Sequence, residues 1–430
     1  MSSYIIVGAG VFGTSTALHL KTRYPDADVT LIDRHGPDAL TRPAASWDWN
    51  KVIRADYRDI TYCRIALEAQ DEWRTNPLWK LFYHETGIYW ISRTGFAQKV
   101  VDNFKALGRD AELYALPVQE ARKLYGGIFD SADYEGIEKV LINKTSGWAA
   151  ARDALRAGIK RAIDIGVKYI AAEGDLLEFD DEARCIGVRI NDGSTITAER
   201  TVLCTGAFTP VLLERTAGHT SRDALRPEKR MIAAGVTTGL VTLDDETAEK
   251  FREMPVCIQE NPTRRGPSNG ILPPIEGNQI KFWGQSIFQF SQGNPPLSAP
   301  PAGAEYDQWE VPEALEADVA VANEATFGER GSDWKIHTHR ICWDCVTPSE
   351  DFIISRHPAS EGLFIATCGS FHGWKFLPVI GRYVTQMLEG TLDSDLEKRW
   401  AWDRPLPSEP GKEWPRHDLG DLRDDARGKR

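Results

Sequence analysis

Apolar and polar positions along the first 33 residues alternate in an order that predicts a strand, a helix and a second strand. The run YIIV at residues 4–7 is apolar, residues 11–24 have helical spacing, and the run DVTLID at residues 28–33 ends in Asp33. The loop GAGVFG, residues 8–13, lies between the first run and the helix. A G-x-G-x-x-G loop in this setting, with an acid about 20 residues further on, is typical of a dinucleotide-binding unit.

Each glycine of this loop has a defined expected role. Gly8 allows the tight turn after the strand, Gly10 lets the backbone approach a pyrophosphate, and Gly13 lets the helix pack on the strand. Val11 and Phe12 open the helix, so the positive end of the helix dipole and unpaired N–H groups are expected to face the phosphates. A turn that needs glycines only for packing is the alternative, and the complete strand, loop, helix, strand and acid argue against it.

The acid at the end of the second strand bears on which dinucleotide binds. Asp33 is placed to accept hydrogen bonds from ribose hydroxyls. Its charge would repel the 2′-phosphate of NADP, although Arg34 beside it weakens that argument. The loop alone does not separate NAD from FAD.

The rest of the chain predicts further helices and strands, with a change of character near residue 225. Residues 61–80 have helical spacing, residues 87–92 predict a strand, and residues 146–170 predict an amphipathic helix that runs into a strand. Residues 187–208 predict a hairpin with an Asp-Gly turn, followed by a buried strand. From about 225 to 335, short strands rich in Pro, Gly and aromatic residues predict an antiparallel sheet.

A second unit of strand, glycine loop and helix is predicted at residues 361–390. Because 430 residues exceed the usual size of one hydrophobic core, two domains are expected. From Pro405 onward, charge and proline content predict a loose tail. The predicted fold is α/β, with a discontinuous Rossmann-type cofactor domain from residues 1–60, 145–215 and 335–390, an α+β substrate domain on an antiparallel sheet from residues 61–144 and 216–334, and a tail at 391–430.

The charge balance limits the partners of the protein. The chain has 51 Lys and Arg against 63 Asp and Glu, a formal net charge of -12. This argues against nucleic acid or an anionic membrane as a partner over the whole surface, and an anionic ligand then needs a local basic pocket. The chain has no signal-peptide-like start and no apolar run of about 18 residues, so a cytoplasmic protein that does not cross a membrane is expected.

Seven cysteines are scattered along the chain, which is not the pattern of a disulfide framework. Two of them, Cys342 and Cys345, form a C-x-x-C pair in HRICWDCVTPSEDF, residues 339–352. Such a pair can bind metal, exchange disulfides or act through one sulfur. Zinc needs about four ligands and the sequence has no second pair of this kind, so no metal site is predicted. Two ordinary buried cysteines are the remaining alternative.

Four segments together resemble one family over nearly the whole chain: GAGVFG, SWDWNKVIRADY, HRICWDCVTPSEDFII and GSFHGWKFLPVIGRYV. They resemble the FAD-dependent amine oxidases of the D-amino-acid oxidase superfamily, and within it monomeric sarcosine oxidase, pipecolate and saccharopine oxidases, and fructosyl amino acid oxidases (amadoriases). The resemblance implies FAD rather than NAD. In this family the flavin is commonly held by a thioether to a cysteine five residues before the Thr of a Thr-Pro dipeptide. That cysteine is here Cys342, before Thr347, while Cys345 has no counterpart.

The resemblance also implies roles for four basic residues. Lys51 matches a basic residue over the flavin face, and Lys281 stands where the family has the lysine that activates oxygen. Arg54 and Lys375 match residues that grip the substrate carboxylate. The implied reaction is hydride transfer from a neutral secondary amine of an amino acid to the flavin, giving an imine, with O2 reduced to H2O2. A surface ion pair is the alternative for each, and for Lys281 a one-residue register slip would turn its side chain to the other sheet face.

Further positions bear on the substrate. The residue four positions after Lys281 is an acid in fructosyl amino acid oxidases and is Gln285 here, which weakens deglycation as the function. Arg404 resembles a C-terminal arginine that helps to bind the carboxylate. Pipecolate, saccharopine, sarcosine and N-alkyl amino acids are the candidate substrates, and Arg264 and Arg265 would suit the second carboxylate of saccharopine. The aromatic residues expected around a compact, partly apolar pocket are Trp47, Trp49, Trp283 and Phe371.

The loop from Gly369 to Gly373 is expected to present backbone N–H groups and a helix N-terminus to the flavin pyrimidine. Two alternatives to an amino acid oxidase are a flavin oxidase that forms a ring from an N-methyl amine and a protein that binds FAD structurally without turnover. Many members of the family are monomers, which allows a monomer here. The full set of expected cofactor contacts is Gly8, Gly10, Val11, Phe12, Gly13, Asp33, Arg34, Ser46, Lys51, Leu176, Gly206, Cys342, Gly369, Phe371, His372, Gly373 and Lys375.

Overall fold

The chain forms a mixture of helices and strands. The computed structural model describes residues 2–39, 43–92, 95–260, 268–294, 296–301 and 308–427. The α-helices within these ranges are α1 (Val11–Arg23), α2 (Ile60–Thr75), α3 (Phe96–Ala106), α4 (Val118–Ala121), α5 (Ala151–Asp164), α6 (Thr209–Thr220), α7 (Asp245–Phe251), α8 (Glu313–Phe327), α9 (Ile380–Glu389), α10 (Ser394–Arg399) and α11 (Leu419–Arg427). Short 3-10 helices lie at Leu124–Gly127, Gly206–Phe208, Asp223–Leu225, Glu276–Asn278, Gly328–Gly331 and Trp374–Phe376.

The strands of the same ranges follow in chain order. They are β1 (Ser3–Val7), β2 (Asp28–Asp33), β3 (Asn50–Ile53), β4 (Tyr83–His84), β5 (Ile88–Ile91), β6 (Leu113–Pro117), β7 (Lys139–Asn143), β8 (Gly147–Ala150), β9 (Lys168–Ala171), β10 (Gly174–Phe179), β11 (Cys185–Ile190), β12 (Thr195–Thr197), β13 (Arg200–Leu203), β14 (Ile232–Thr242), β15 (Val256–Gln259), β16 (Asn269–Ile275), β17 (Gln279–Gln289), β18 (Ser291–Gln292), β19 (Leu297–Ser298), β20 (Thr338–Val346), β21 (Ile353–Arg356), β22 (Leu363–Thr367) and β23 (His417–Asp418).

One sheet has six strands in the order β21-β22-β13-β1-β2-β9. Its neighbours are parallel except β21 and β22, which are antiparallel. The side chains of Ile5 and Ile6 on the central strand β1 are almost fully buried, as expected of a parallel strand covered on both faces. Helix α1 packs beside β1 and contacts both α5 and α9. The sheet therefore combines strands from the beginning, middle and end of the chain.

A second sheet has nine strands in the order β20-β14-β17-β16-β15-β5-β7-β6, with β23 beside β17. Its pairs are antiparallel except β15 with β5 and β17 with β23. The predicted α/β fold with a second part built on an antiparallel sheet is confirmed by this arrangement. Strand β20 pairs along β14 from Ile232 to Leu240. It therefore lies in the antiparallel sheet, although the sequence places residues 335–390 in the cofactor domain.

Smaller sheets connect the two large ones. Strands β3, β8 and β4 form a three-stranded sheet, as do β10, β11 and β12, while β18 pairs with β19. Strand β3 contacts β16 and the 3-10 helix Trp374–Phe376. Lys51, on β3, is thereby brought between the antiparallel sheet and the loop that precedes α9.

The prediction of a loose tail from Pro405 is wrong for the described residues. Strand β23 adds to β17, and Leu419 at the start of α11 is fully buried. The N–H of Gly411 donates to the carbonyl of Pro348, and that of Arg416 donates to Ile287. Backbone hydrogen bonds hold this segment, so its low apolar content does not prevent it from packing. No helix in the described ranges is long and apolar enough to cross a membrane.

Candidate active site

A small cavity of about 110 Å3 lies beside the glycine loop. It is at the carboxyl ends of β1, β2 and β13, which is where open parallel sheets bind ligands. Its lining comprises Val7, Gly8, Gly10, Ile32, Asp33, Arg34, His35, Pro43, Ala44, Ser46, Ala172, Glu173, Gly174, Cys204, Thr205, Gly206, Phe208, Val211, Leu212 and Arg215.

The glycine loop holds α1 tightly against β1. Gly8 has a φ of +103°, a conformation that glycine adopts at little cost. A Cβ atom at Gly13 would overlap the carbonyl oxygen of Gly8. A Cβ atom at Gly10 would lie 2.6 Å from Ser46 Oγ, in the wall of the small cavity. The loop therefore combines a turn, a close contact between helix and strand, and bare backbone facing a cavity.

Polar groups around the loop are arranged for a nucleotide. Asp33 Oδ2 accepts a hydrogen bond of 2.8 Å from the N–H of Ala9, and its Oδ1 accepts one of 3.0 Å from the N–H of His35. Ser46 Oγ accepts a hydrogen bond of 3.1 Å from the N–H of Val11. An acid at the end of β2 and a helix N-terminus behind bare glycines are the groups that hold ribose and pyrophosphate.

Two predicted contacts on the far wall of the small cavity have different outcomes. Arg34 lines the cavity, with its guanidinium 4.0 Å from the ring centre of Phe208 and 3.0 Å from Glu173 Oε1. Leu176 is buried on β10 but does not line the cavity, whereas Glu173 and Gly174 do. The prediction for Leu176 therefore needs correcting, because the residues just before it form the wall.

A large cavity of about 960 Å3 lies between the antiparallel sheet, β3 and the loop before α9. This is at the upper end of the range of about 300–1,000 Å3 for small-molecule sites. Its charged lining residues are Asp48, Lys51, Arg54, Asp56, Arg58, Asp59, Glu260, Lys281, Glu350, Asp351, Lys375, Arg399, Lys412 and Glu413. Its aromatic lining residues are Tyr57, Tyr62, Trp90, Phe96, Trp283, Phe371, His372 and Trp374.

Two lysines from different elements meet in the wall of this cavity. Lys51 Nζ and Lys281 Nζ are each 2.9 Å from Asp48 Oδ2, and Lys281 Nζ also donates a hydrogen bond of 2.6 Å to the carbonyl of Asn50. Lys281 is 2% exposed, so its strand turns this side chain inward. Burial lowers the pKa of Lys281 to about 8, and Asp48 opposes that shift. The cavity therefore contains an ammonium group that titrates near neutral pH.

Cys342 lies next to this pair. Its thiol has no exposed surface, and its Sγ is 3.6 Å from Lys51 Nζ. Cys345 lies away from the lysines, with its Sγ 3.3 Å from that of Cys368. The two sulfurs of the C-x-x-C pair therefore have different surroundings, and only that of Cys342 is beside a cavity lysine.

A hydrogen-bond chain runs along the opposite wall. Lys375 Nζ donates to Tyr57 Oη at 3.0 Å, and Tyr57 Oη is 3.0 Å from His372 Nδ1. His372 Nε2 is 2.9 Å from the carbonyl of Glu350, which can only accept, so Nε2 carries the proton and Tyr57 donates to Nδ1. Burial and the positive charge of Lys375 hold the pKa of His372 well below its usual value. A neutral His372 fits its role as a hydrogen-bonding residue.

Arg54 lies beside the same chain. Its guanidinium is 4.6 Å from the ring centre of Tyr57 and 4.7 Å from that of Trp90. Burial, together with the charge of Arg54, lowers the pKa of Lys375 well below its usual value. Neither Arg54 nor Lys375 forms an ion pair with a carboxylate of the described residues. Arg54 therefore brings a permanent positive charge to the cavity and Lys375 a buried amine, and an anionic ligand would supply the negative charge that both lack.

The C-terminal segment supplies part of the cavity wall, which the sequence analysis missed. The N–H of Glu413 donates a hydrogen bond of 2.9 Å to Glu350 Oε1, and Lys412 Nζ is 3.4 Å from Glu260 Oε1. Burial raises the pKa of Glu413 to about 7, with Lys412 opposing the shift and Glu350 adding to it. No local motif marks Glu413, because its position depends on the long-range docking of the tail.

Two predicted substrate contacts lie outside the large cavity. Arg404 donates hydrogen bonds to the carbonyls of Phe352, at 2.8 Å, and Asp351, at 3.0 Å, so it binds backbone instead of substrate. Gln285 is buried and does not line the cavity. The pairing of β14 with β17 has a register shift near Gln285, which changes the direction of side chains along β17 after Lys281.

The predictions for Trp47, Trp49 and Phe12 differ from the structure. Trp283 and Phe371 line the large cavity, but Trp47 and Trp49 do not, since they pack against each other with ring centres 5.8 Å apart. Phe12 packs edge-on against Phe352 and lines neither cavity. The predicted role of Arg264 and Arg265 concerns positions outside the described residues.

The loop from Gly369 to Gly373 has its own hydrogen bonds. The N–H of Phe371 donates to Asp344 Oδ2 at 2.8 Å, and the N–H of His372 donates to the carbonyl of Gly369 at 2.8 Å. These two N–H groups are used within the protein, and the helix that follows is a single 3-10 turn. The expected helix N-terminus toward the flavin is therefore not formed, and it is the side chains of Phe371 and His372 that face the cavity.

The two cavities together fit FAD. The segment from Ser46 to Lys51 connects them, because Ser46 lines the small cavity while Asp48 and Lys51 line the large one. The glycine loop suits the nucleotide end, and the large cavity offers room, aromatic walls and positive charge for a flavin ring. Within the described residues, no group of three or more His, Cys, Asp or Glu side chains is arranged to hold a metal ion.

Comparisons with known proteins agree with this geometry. The FAD dependent oxidoreductase family matches residues 3–387. L-saccharopine oxidase of Schizosaccharomyces pombe is 26% identical over 416 residues, covering 93% of this chain and 92% of that protein. A monomeric sarcosine oxidase of Streptomyces avermitilis is 24% identical over 416 residues, covering 90% and 94%. The structure of a modified fructosyl peptide oxidase from Aspergillus nidulans is similar with a TM-score of 0.82, 26% identity and coverage of 98% of both chains.

The resemblance that the four sequence segments indicated is confirmed by these matches. The family match includes the whole lining of the small cavity and all of the large one except Arg399, Lys412 and Glu413, and the relatives named match 90% or more of the chain. The chain belongs to the FAD dependent oxidoreductase family, and the protein is an FAD-dependent amine oxidoreductase.

Proposed function

We propose that this enzyme oxidises the secondary amine of an amino acid of the pipecolate, saccharopine, sarcosine or N-alkyl type, and passes the electrons to O2 to give an imine and H2O2. The observation that carries the proposal is the pair of basic side chains Arg54 and Lys375 in the large cavity, neither of which has a carboxylate partner among the described residues. When bound, FAD supplies the hydride acceptor. The chain itself supplies the carboxylate anchor, the apolar walls and the lysines.

The anchor and the lysines are separate groups in one cavity. Arg54 and Lys375 are suited to hold the carboxylate of an amino acid, because charge-assisted hydrogen bonds of this kind are strong and directional. Lys51 and Lys281 are suited to place positive charge where negative charge develops during reduction and during the reaction with O2. Lys281 is 2% exposed and Lys51 is half-buried, so the charge of Lys281 in particular is screened less by water than a surface charge is.

The amine must be neutral when it reacts. Hydride transfer from a neutral amine requires no positioned base, because the neutral form can be selected directly from solution. The positive charge of Arg54 and of the lysines disfavours a second cation in the cavity, so the ammonium form of the substrate binds less well. Trp283 and Phe371 supply apolar surface for the carbon skeleton.

Peroxide release tests the proposal directly. The purified protein is incubated with pipecolate, saccharopine, sarcosine and fructosyl-valine, and H2O2 is measured in a coupled peroxidase assay. We expect release with at least one of the first three substrates and none with the matching amino acid that lacks the N-alkyl group. A flavin-loaded protein that releases no peroxide with any secondary amine would contradict the proposal and favour structural FAD binding.

A second candidate is oxidation of fructosyl amino acids. Glu260 and Glu413 line the large cavity and can accept hydrogen bonds from sugar hydroxyls. Gln285 does not line the cavity, so the position that is acidic in fructosyl amino acid oxidases contributes nothing here. Peroxide release with fructosyl-valine alone would support this candidate against the first.

We also propose that FAD is attached through Cys342. Its Sγ lies 3.6 Å from Lys51 Nζ, in the wall of the cavity that suits the flavin ring, whereas the sulfur of Cys345 lies against Cys368. Protein precipitated with acid should keep its yellow colour in the wild type, whereas Cys342→Ala should release it into the supernatant. Cys345→Ala is the matched control, because its sulfur contacts Cys368 instead, and it should keep the colour. Release from the wild type would rule out the attachment.

A further inference from the structure

A single buried carboxylate lies between the two lysines of the large cavity. Asp48 has no exposed surface, and its Oδ2 is 2.9 Å from both Lys51 Nζ and Lys281 Nζ. The backbone fixes this carboxylate in place. Its Oδ1 accepts a hydrogen bond of 2.8 Å from the backbone N–H of Trp49. The backbone carbonyl of Asp48 accepts one of 2.9 Å from the backbone N–H of Arg152. No motif in the sequence assigns a role to Asp48.

The charged groups that act on Asp48 come from three strands. They are Lys51 on β3, Lys281 on β17 and Arg340 on β20, and the thiol of Cys342 on β20 faces the two lysines. Burial alone would raise the pKa of Asp48, but the positive charges around it lower that pKa instead. Asp48 is therefore ionised at neutral pH.

The two ammonium groups depend on this carboxylate. Burial lowers the pKa of Lys281 to about 8, Asp48 opposes the shift, and Lys51 adds to it. Removing the acid from such a cluster leaves the buried charge of Lys281 and the half-buried charge of Lys51 without compensation. A buried lysine escapes that cost by losing its proton, so Lys281 without Asp48 is expected to be neutral at pH 7.

We propose that Asp48 is a positioning residue for the reaction with O2: it holds the ammonium groups of Lys51 and Lys281 together and keeps Lys281 charged in the cavity wall. This inference rests on the proposed function, because it takes Lys281 to be the residue that supports the oxygen reaction. The acid acts through the lysine, whose ammonium group lies 2.9 Å from Asp48 Oδ2. Its role is distinct from folding, because it sets a charge that the reaction uses.

The first measurement uses flavin-free protein from riboflavin-starved cells. Acetic anhydride modifies only the neutral amine, so peptide mass spectrometry of Lys281 acetylation between about pH 6 and 10 reports the fraction of the side chain that is charged. Asp48→Asn should move the midpoint to lower pH by about one unit or more. Lys51→Met should move the midpoint of Lys281 acetylation to higher pH, because the positive charge of Lys51, which disfavours the charged form of Lys281, is removed.

The second measurement uses the flavin-loaded protein reduced by light in the absence of substrate. Mixing with O2 then gives the rate constant of reoxidation without any contribution from the amine. Asp48→Asn should lower this rate constant at pH 7 on the order of 10- to 100-fold. Asp48→Glu keeps the charge and should recover most of the rate.

Asp318→Asn is the matched control, because Asp318 is also buried and accepts a hydrogen bond of 2.9 Å from the N–H of Ser286, on the same strand as Lys281. It should leave both readouts unchanged. Equal losses in the Asp48 and Asp318 variants, or an unmoved Lys281 midpoint in Asp48→Asn, would overturn the proposal. If Asp48→Asn does not fold, Lys51→Met and Asp48→Glu are used to test the proposal instead. An acetylation midpoint of Lys281 that does not move in Lys51→Met would then overturn the proposal. If the reduced wild-type protein does not react with O2, the proposed oxidase function is refuted. This outcome is distinguishable from failure of the Asp48 proposal, because the acetylation of Lys281 is measured without flavin or O2.

Discussion

Replacing Lys281 by Met is expected to slow the reaction of the reduced enzyme with O2 on the order of 100- to 1,000-fold, while reduction by the amine changes only a few-fold. Met keeps the length and apolar contacts of the side chain and removes the charge. The physical reason is that O2 gains negative charge as it is reduced, and a buried ammonium group stabilises that charge much more than water does. Stopped-flow absorbance of the flavin measures the two half-reactions separately.

The same lysine predicts a pH dependence. Because burial lowers the pKa of Lys281 to about 8, the ammonium form is complete below that pH and is lost as the pH rises through it. Reoxidation should therefore slow above about pH 8 in the wild type and become independent of pH in Lys281→Met. Lys250→Met, which removes an exposed lysine paired with Glu246, is the control and should retain the wild-type profile. Equal slowing of both half-reactions in Lys281→Met would contradict the assigned role.

The part of the site that could be predicted from the sequence is the part that depends on local backbone demands. Gly8 has a positive φ, and a Cβ atom at Gly13 would overlap the carbonyl oxygen of Gly8. The spacing of these glycines in the sequence is therefore enough to predict the conformation of the loop. Arg54 and Lys375 were expected together from the resemblance, and the structure places both in the large cavity. Lys51 and Lys281 likewise meet there, across 230 residues of sequence, because β3 contacts the antiparallel sheet.

The missed part depends on interactions between distant elements. Asp48 is one acid among many in the sequence, and its importance appears only when Lys51 and Lys281 are both seen 2.9 Å away. Glu413 reaches the cavity because the tail docks through backbone hydrogen bonds, which composition does not reveal. The prediction for Gln285 rests on a position in related oxidases, and a register shift in β17 between Lys281 and Ile287 is not visible in that spacing.

Unpaired and paired arginines in one cavity allow a sharp test of the carboxylate anchor. Arg54 has aromatic neighbours and no carboxylate partner among the described residues, whereas Arg399 is held by Asp59 at 2.9 Å and by Asp351 at 2.5 Å. Arg54→Met should lower kcat/KM for the amino acid substrate roughly 30- to 150-fold, because it removes a charged hydrogen-bond donor to the carboxylate. This factor corresponds to a loss of about 2–3 kcal/mol of transition-state stabilisation. Met retains the packing on Tyr57 and Trp90.

Arg399→Met is the matched control and should change kcat/KM much less, since its charge is already used within the protein. The primary amide of the same substrate provides the second control. If Arg54 binds the carboxylate, wild type and Arg54→Met should oxidise the amide with similar kcat/KM, because that ligand carries no negative charge. An equal loss with acid and amide would assign Arg54 to the shape of the cavity and would leave Lys375 as the anchor.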